Sequence, residues 1–251
     1  MVIALQIVRH RVTNYDILGA ANEGKGEQKM EWFDDVDQYS AYLASLTTDE
    51  RVAILLGFYQ LERLGAMRLP DLAQMVPDTT FQRETLMHAA DESRHEHLFQ
   101  RIMNLLGNPS PNSNVTPPSL GGQLIAQALA EWPSLTRDVP ILRVTPLLVY
   151  LLASEERAVV SFAAHAQLYP TGDEIGTILR QIVSDEKRHV RMIRHRLDRW
   201  CEDVPAVRQR VAATETQITQ IRAQFLSSTE GDTWREQHND RGGERSTGEL
   251  L

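Results

Sequence analysis

The sequence predicts an all-α protein whose main body is a four-helix bundle with one long crossover connection. Ala, Leu, Glu, Gln and Arg are common, whereas aromatic residues make up 6% of the chain, and this composition favours helices. Four long segments begin and end with residues that commonly cap or interrupt helices. A stretch rich in Asn, Pro and Ser at residues 108–118 separates the first pair of segments from the second and predicts the crossover.

The chain of 251 residues divides into four parts. Residues 1–45 are predicted to be an N-terminal extension that ends in a short helix from Asp34 to Ser45. Residues 46–203 form the bundle, residues 204–227 an additional helix, and residues 228–251 a polar tail that we expect to be disordered. Apolar residues make up 42% of the chain, which is sufficient for one domain with a sizeable core.

Capping and helix-breaking residues define the first helical pair. Thr47 followed by Glu50 is a capping box, and the helix that it begins is predicted to end just before Pro70. The second helix is predicted to extend from Thr80 to Leu106. A short helix from Leu120 to Glu131 is predicted within the crossover.

The second helical pair is predicted in the same way. The third helix should begin with Thr145 as its N-cap and Pro146 as its first residue. A second capping box, formed by Thr171 and Glu174, should begin the fourth helix. A fifth, more polar helix is predicted over residues 205–227.

Charge and cysteine content argue against several classes of protein. The formal net charge of −8 gives no support for a nucleic-acid-binding surface. Cys201 is the single cysteine, so the chain has neither an internal disulfide nor a C-x-x-C metal motif. The N-terminus lacks the features of a signal peptide, and the most apolar stretch, Pro146–Ala153, is too short to span a bilayer. We therefore expect a cytoplasmic protein without a membrane or nucleic-acid partner.

Two copies of the pattern D-E-x-R-H dominate the functional interpretation. They occupy residues 91–95 and 185–189, and in each copy the Glu and the His are three residues apart. Another glutamate precedes the glutamate of each copy by the same interval, since 92 − 62 = 30 and 186 − 156 = 30. The pattern predicts six metal ligands: Glu62, Glu92, His95, Glu156, Glu186 and His189. The choice of Glu156 over its neighbour Glu155 depends on this equal spacing.

The spacing favours a dinuclear metal centre in the middle of the bundle. Helical residues three apart lie on one face, and helices of about 20 residues joined by a tight loop bring each preceding glutamate to the height of its motif. Four buried carboxylates repel one another and are costly to desolvate, but two divalent cations would balance their charge. Mixed carboxylate and imidazole ligands suit two iron ions; manganese or a mixed manganese–iron pair is the alternative.

The remaining residues of the two motifs are predicted to support the histidine ligands. A metal-bound imidazole usually donates its other N–H to a carboxylate, which sets its orientation. Across the bundle, the aspartate of each motif is predicted to hold the histidine of the other, and the arginines to contact nearby carboxylates. These supporting residues are Asp91, Asp185, Arg94 and Arg188.

The paired D-E-x-R-H motifs and their preceding glutamates resemble those of the di-iron carboxylate oxygenases in the ferritin-like superfamily. The motif is similar to that of bacterial multicomponent monooxygenases and phenylacetyl-CoA epoxidase. The resemblance covers about residues 48–202. It implies a ferritin-like bundle, iron at the six predicted ligands, Asp91 and Asp185 as the carboxylates that support the histidines, and O2 activation at a reduced di-iron centre.

His88 is a further candidate for the site. It lies four residues before Glu92 and therefore on the same helical face. The arylamine N-oxygenases of the same superfamily look similar in having His-x-x-x-Glu-x-x-His, with the extra histidine as a ligand. In them it belongs to the second half of the bundle, where this chain has Ile182. We interpret His88 either as an extra ligand or as a hydrogen-bonded histidine that lines a pocket.

Small and apolar residues beside the predicted ligands indicate either a substrate pocket or close packing of the helices. The candidate pocket residues are Phe58, Tyr59, Ala66 and Val160. We assign no catalytic residue beyond the metal site.

These features predict a non-haem di-iron oxygenase or oxidase that uses O2 as co-substrate. The expected reaction is hydroxylation, N-oxygenation or a related oxidation of a small organic substrate, free or bound to a carrier. We also expect an external electron donor and a homodimer. The alternative is a ferroxidase or a rubrerythrin-like peroxide reductase. A third possibility is a helical interaction module whose glutamates and histidines form inert salt bridges with arginines, among them Arg63 and Arg157.

Overall fold

The computed structural model describes residues 36–107 and 140–227, and the regular secondary structure within these ranges is entirely α-helical. The six helices are α1 Val36–Ser45, α2 Thr48–Ala73, α3 Thr79–Leu105, α4 Pro140–Gln167, α5 Glu174–Asp203 and α6 Pro205–Ser227. The all-α prediction is therefore confirmed for the described part of the chain. In these ranges, no helix has the length and hydropathy needed to cross a membrane.

Several predictions concern residues that lie outside the described ranges. They are most of the N-terminal extension (1–35), the short helix at 120–131 within the crossover, and the disordered tail at 228–251. The predicted helices at the end of the extension and over residues 205–227 are present as α1 and α6.

The four long helices form two helical hairpins. α2 packs against α3, and α4 packs against α5. Residues 74–78 connect the first hairpin, and residues 168–173 connect the second. The hairpins meet where α3 contacts α5, while α1 packs on α4 and α6 packs on both α4 and α5.

A polar layer separates two apolar clusters in the core. On α2, Glu62 lies between Leu55 and Leu69, which are seven residues away on either side and belong to different clusters. On α4, Glu155 lies in the same way between Phe162 and Leu148. Seven residues are about two helical turns, so the buried glutamates are at one level between the two clusters.

The helix starts follow local capping chemistry, with one correction. Glu50 N donates to Thr47 Oγ1 at 3.3 Å and Thr47 N donates to Glu50 Oε2 at 2.6 Å, so the first predicted capping box is present. The fourth long helix is capped by Asp173, whose side chain accepts from Gly176 N at 3.1 Å. The predicted start at Thr171 is thus two residues too early.

Two prolines lie inside helices rather than at their ends. α2 continues past Pro70 to Ala73, and α4 begins at Pro140, well before Pro146. A proline inside a helix removes one backbone hydrogen bond. At Pro146 the segment is buried, and Thr145 Oγ1 donates to the carbonyl of Ile141 at 2.8 Å. The predicted N-cap at Thr145 is therefore wrong, because burial in the core extends the helix through the proline.

Candidate metal centre

The structure contains two groups of buried side chains that could each hold a metal ion. Within each group, the candidate ligand atoms lie within 4.8 Å of one another. The first group consists of Glu62, Glu92, His95 and Glu186, and the second of His88, Glu92, Glu155 and His189. Glu92 belongs to both groups, so the two groups form one continuous site. The structure thus brings together five of the six predicted ligands and adds Glu155 and His88.

Each long helix contributes to the site from its buried face. α3 carries His88, Glu92 and His95 at intervals of four and three residues, which places all three on one face. α5 contributes Glu186 and His189 with the same three-residue interval. α2 and α4 contribute one glutamate each.

The structure corrects the choice of Glu156. Its side chain is 45% exposed and pairs with Arg194, whereas Glu155 is buried in the second group. The interval to the motif glutamate is therefore 186 − 155 = 31 residues rather than 30. The reason lies in the connections, since the second hairpin loop, 168–173, is one residue longer than the first, 74–78.

Both histidines of the D-E-x-R-H motifs turn Nδ1 towards the glutamates. His95 Nδ1 lies 2.9 Å from Glu186 Oε1 and 3.3 Å from Glu62 Oε2. His189 Nδ1 lies 3.1 Å from Glu186 Oε2. Because Glu186 faces both imidazoles with different oxygens, it lies between the two groups. Nδ1 is therefore the nitrogen available for metal coordination.

The aspartates hold the opposite nitrogens, as the sequence predicts. His95 Nε2 lies 3.3 Å from Asp185 Oδ2, and His189 Nε2 lies 3.2 Å from Asp91 Oδ2. Each contact joins one hairpin to the other. A proton on Nε2 that is donated to the aspartate leaves the lone pair of Nδ1 free for a metal ion.

Two arginines close a ring of charges with these aspartates. Arg94 donates to Asp91 at 2.6 Å and to Asp185 at 2.9 Å, and Arg188 donates to Asp185 at 2.8 Å and to Asp91 at 2.5 Å. Burial opposes the ionisation of Asp91, but hydrogen bonds from His189 and Arg188 lower its pKa below the usual value. The aspartates, not the buried glutamates, are thus the partners of these arginines.

Arg63 and Arg157 are the other candidates for salt bridges with the site, and they contact different groups. Arg63 Nε lies 3.8 Å from Glu96, and the guanidinium of Arg157 lies 4.8 Å from the centre of the Tyr39 ring. These contacts do not involve the glutamates of the site.

Burial makes the glutamates of the site difficult to ionise. It raises the pKa of Glu62 and of Glu92, and it raises the pKa of Glu186 to about 7 with help from the charge of Glu155. Burial also opposes the ionisation of Glu155, but His88 and hydrogen bonds within the site lower its pKa well below the usual value. Carboxylates with this degree of desolvation require compensating positive charge.

Protons on the imidazoles can supply that charge. Burial favours neutral histidines, yet the surrounding glutamates raise the pKa of His88 to about 9 and those of His95 and His189 to about 11. Metal ligation requires neutral imidazoles, so a metal ion and these protons compete for the same atoms.

The residues of the site fit a pair of metal ions. His88 Nε2, Glu92 Oε1 and Glu186 Oε1 are buried, and although each has a polar neighbour about 3 Å away, none makes a well-aligned hydrogen bond with the described residues. Buried polar atoms with poorly aligned partners are costly unless another group satisfies them. Four carboxylates and three imidazoles are also the donor types that iron and manganese bind.

A cavity of about 10 Å³ adjoins the site next to His88. Thr85, Leu148, Leu151 and Arg196 are among the residues that line it. A volume of this size accommodates about one water molecule. A larger open groove of about 600 Å³, lined in part by Arg180 and Lys187, includes none of the grouped glutamates and histidines.

The residues predicted to form the substrate pocket have other surroundings. Phe58 packs edge-on against Phe162, with ring centres 4.8 Å apart, and belongs to the apolar core. Tyr59 donates its hydroxyl to Glu96 at 3.3 Å. Ala66 and Val160 are half-buried, and none of the four residues lines the cavity beside His88. The surroundings of Phe58 and Tyr59 fit the close-packing alternative, and the pocket assignment of Ala66 and Val160 stays a prediction.

Comparison with known proteins identifies no relative: no family model, no curated protein and no solved structure matches this chain.

Proposed function

We propose that the described helices form a ferritin-like four-helix bundle that holds a dinuclear metal centre and catalyses an O2-dependent oxidation. The observation that carries this proposal is the convergence of seven buried ligand groups from four helices, with each motif histidine held by an aspartate of the opposite hairpin. The duplicated D-E-x-R-H motif, which resembles that of di-iron oxygenases, supports the assignment to this class.

Two iron ions are the cofactor that suits this donor set best. Two divalent cations balance the four carboxylates of Glu62, Glu92, Glu155 and Glu186, and iron accepts both carboxylate and imidazole ligands. Manganese, alone or with iron, remains the alternative cofactor. When bound, a reduced iron pair supplies electrons for the reduction of O2.

The protein contributes orientation and exclusion of water. Asp91 and Asp185 hold the protons on Nε2 of the motif histidines, which keeps the Nδ1 atoms directed at the glutamates. The apolar clusters on both sides of the glutamate layer keep bulk water away from the site. A small organic substrate, an external electron donor and a homodimeric assembly belong to this proposal.

The size of the cavity favours a second candidate function. Among the described residues, the cavity that adjoins the ligands holds about 10 Å³, which suits water or peroxide better than an organic molecule. A ferroxidase or a peroxide reductase needs no larger space beside its metal ions.

O2 consumption by the metal-loaded protein tests the proposal. The full chain is loaded anaerobically with Fe(II), mixed with O2, a reductant and a panel of small organic substrates, and assayed for O2 uptake and oxidised products. Glu92→Gln should abolish O2 uptake, whereas Glu156→Gln, which changes an exposed glutamate, should not. Rapid iron oxidation or peroxide turnover without any organic product would favour the second candidate. Absence of both O2 and peroxide consumption by iron-loaded protein would contradict both functions.

A further inference from the structure

We infer that the two metal positions of this site are chemically different, because His88 is a third histidine ligand and belongs to one position alone. The inference depends on the proposed dinuclear centre and specifies how each half of it selects its metal ion. The nitrogen-rich position is formed by His88, Glu155 and His189. The nitrogen-poor position is formed by Glu62 and His95.

The geometry of His88 supports its assignment as a ligand. Its Nε2 lies 3.0 Å from Glu92 Oε1 and 3.1 Å from Glu155 Oε1, and its N–H direction is well aligned with neither oxygen. The side chain is 1% exposed, and its ring centre lies 3.8 Å from that of His189. A buried imidazole nitrogen that lies almost equally far from two carboxylate oxygens, and is aligned with neither, is placed to share a cation with them.

The other half of the site has no equivalent nitrogen. Ile182 precedes Glu186 by four residues, as His88 precedes Glu92, and it is fully buried in an apolar cluster. An isoleucine offers no donor atom, so the position formed by Glu62 and His95 retains a single imidazole. The difference between the two halves is therefore present in the sequence itself.

The two positions nevertheless have equal carboxylate charge. Each has one glutamate of its own, Glu62 or Glu155, and Glu92 belongs to both groups. Glu186 is grouped with Glu62, but its second oxygen lies 3.1 Å from His189 Nδ1, so it also reaches the nitrogen-rich position. The positions therefore differ in the number of imidazoles and not in net charge. Imidazole ligands favour Fe²⁺, Co²⁺ and Zn²⁺ over Mn²⁺, while carboxylates suit Mn²⁺. The nitrogen-rich position should bind the former ions, and the nitrogen-poor position is the one suited to Mn²⁺.

Metal sorting by the unmodified protein provides the first test. Crystals of the full chain grown with equal concentrations of Mn²⁺ and Zn²⁺ are measured on both sides of the zinc absorption edge. We expect the zinc signal to be concentrated at the position next to His88 and manganese to be enriched at the other. Equal zinc occupancy of the two positions would overturn the inference without affecting the proposed dinuclear centre.

Titration with Co²⁺ alone provides the second test. The wild-type chain should bind two Co²⁺ ions, and His88→Ala and His88→Gln should weaken one of them at least about tenfold while leaving the other unchanged. His97→Ala is the matched control, since His97 is an exposed histidine on the same helix that contacts the carbonyl of Ser93. If both His88 variants bound two Co²⁺ ions with the affinities of the wild type, His88 would not be a metal ligand.

The outcomes separate this inference from the proposed function. A wild-type chain that binds no Co²⁺ would contradict both. Should both His88 variants fail to fold, the sorting of Mn²⁺ and Zn²⁺ by the wild-type protein decides the question alone.

Discussion

The Nε2 atom of His95 lies 3.3 Å from Oδ2 of Asp185, which belongs to the opposite helical hairpin. The same aspartate accepts hydrogen bonds from Arg94 and Arg188. One carboxylate therefore connects the orientation of a candidate metal ligand with the packing of α3 against α5. The reciprocal contact between His189 and Asp91 gives the arrangement an approximate twofold symmetry.

Asp185→Asn should weaken metal binding while the helical fold remains intact. The amide removes the negative charge that holds the proton on Nε2 of His95, and loss of such a supporting carboxylate typically lowers metal affinity about 10- to 100-fold. Co²⁺ titration followed by visible absorption measures the effect. Asp198→Asn, at an exposed position of the same helix, serves as the control. An unchanged affinity in Asp185→Asn would show that the contact does not orient a ligand.

Glu155→Gln and Glu156→Gln should differ sharply in metal content, although the two residues are adjacent. Glu155 is buried among the ligand groups, so the amide should remove one of two bound metal ions. Glu156 is exposed and pairs with Arg194, and loss of a surface ion pair typically costs about 0–1 kcal/mol. Metal content per chain after dialysis distinguishes the two variants. Loss of metal in Glu156→Gln alone would restore the choice made from equal spacing.

Sequence periodicity alone does not decide whether Glu155 or Glu156 faces the candidate metal site. Glu155 has buried Leu148 and Phe162 seven residues away, but Glu156 has Val149 and Ala163 at the same distances, so both positions look suitable in the sequence. The deciding feature is the loop 168–173, whose extra residue shifts the pairing of α4 with α5 by one position. The spacing of the motifs does not show how many of the intervening residues belong to the loop.

The contacts of the two motifs, by contrast, followed from helical geometry. The three-residue interval places Glu92 beside His95 and Glu186 beside His189, and the aspartates one residue before each glutamate reach across to the opposite histidine. The capping rules placed the helix start wrongly at Pro146, because burial of the surrounding segment outweighs the tendency of proline to begin a helix. Sequence spacing also does not distinguish whether His88 is a ligand or a pocket residue, because its contacts with Glu92 and Glu155 depend on how the hairpins meet.

Gly65→Ala should lower metal affinity without lowering the stability of the metal-free protein. A Cβ atom at this position of α2 would lie 2.9 Å from Glu92 Oε2, so the carboxylate shared by both groups would have to move. Alanine is favoured over glycine within a helix by about 1 kcal/mol, which offsets the strain of displacing the end of a flexible side chain. Co²⁺ titration gives the affinity, and denaturant unfolding in the presence of a chelator gives the free energy of unfolding. A stable variant with wild-type affinity would mean that Glu92 moves without consequence for the metal ions.

His165 should make the metal-free protein less stable in mild acid. Its ring is fully buried against Tyr39 and Phe58, and Nδ1 donates to the carbonyl of Ser161 at 2.9 Å. Burial, assisted by the positive charges of Arg157 and Arg51, lowers its pKa from 6.5 to about 4. The unfolded chain therefore binds a proton below pH 6.5, whereas the folded chain does so only near pH 4. The free energy of unfolding should fall through this interval by up to about 3 kcal/mol, since one pKa unit corresponds to about 1.4 kcal/mol.

The variant His165→Leu isolates this contribution from other titrating groups. Leucine fills a similar volume and has no proton to bind, so the difference in unfolding free energy between wild type and variant should be constant above pH 6.5. Below that pH the wild type should lose stability relative to the variant until about pH 4, where the difference levels off. Denaturant unfolding at several pH values, with a chelator present, measures both curves. Parallel curves across this interval would mean that His165 keeps an ordinary pKa, and that its burial among aromatic rings does not exclude the proton.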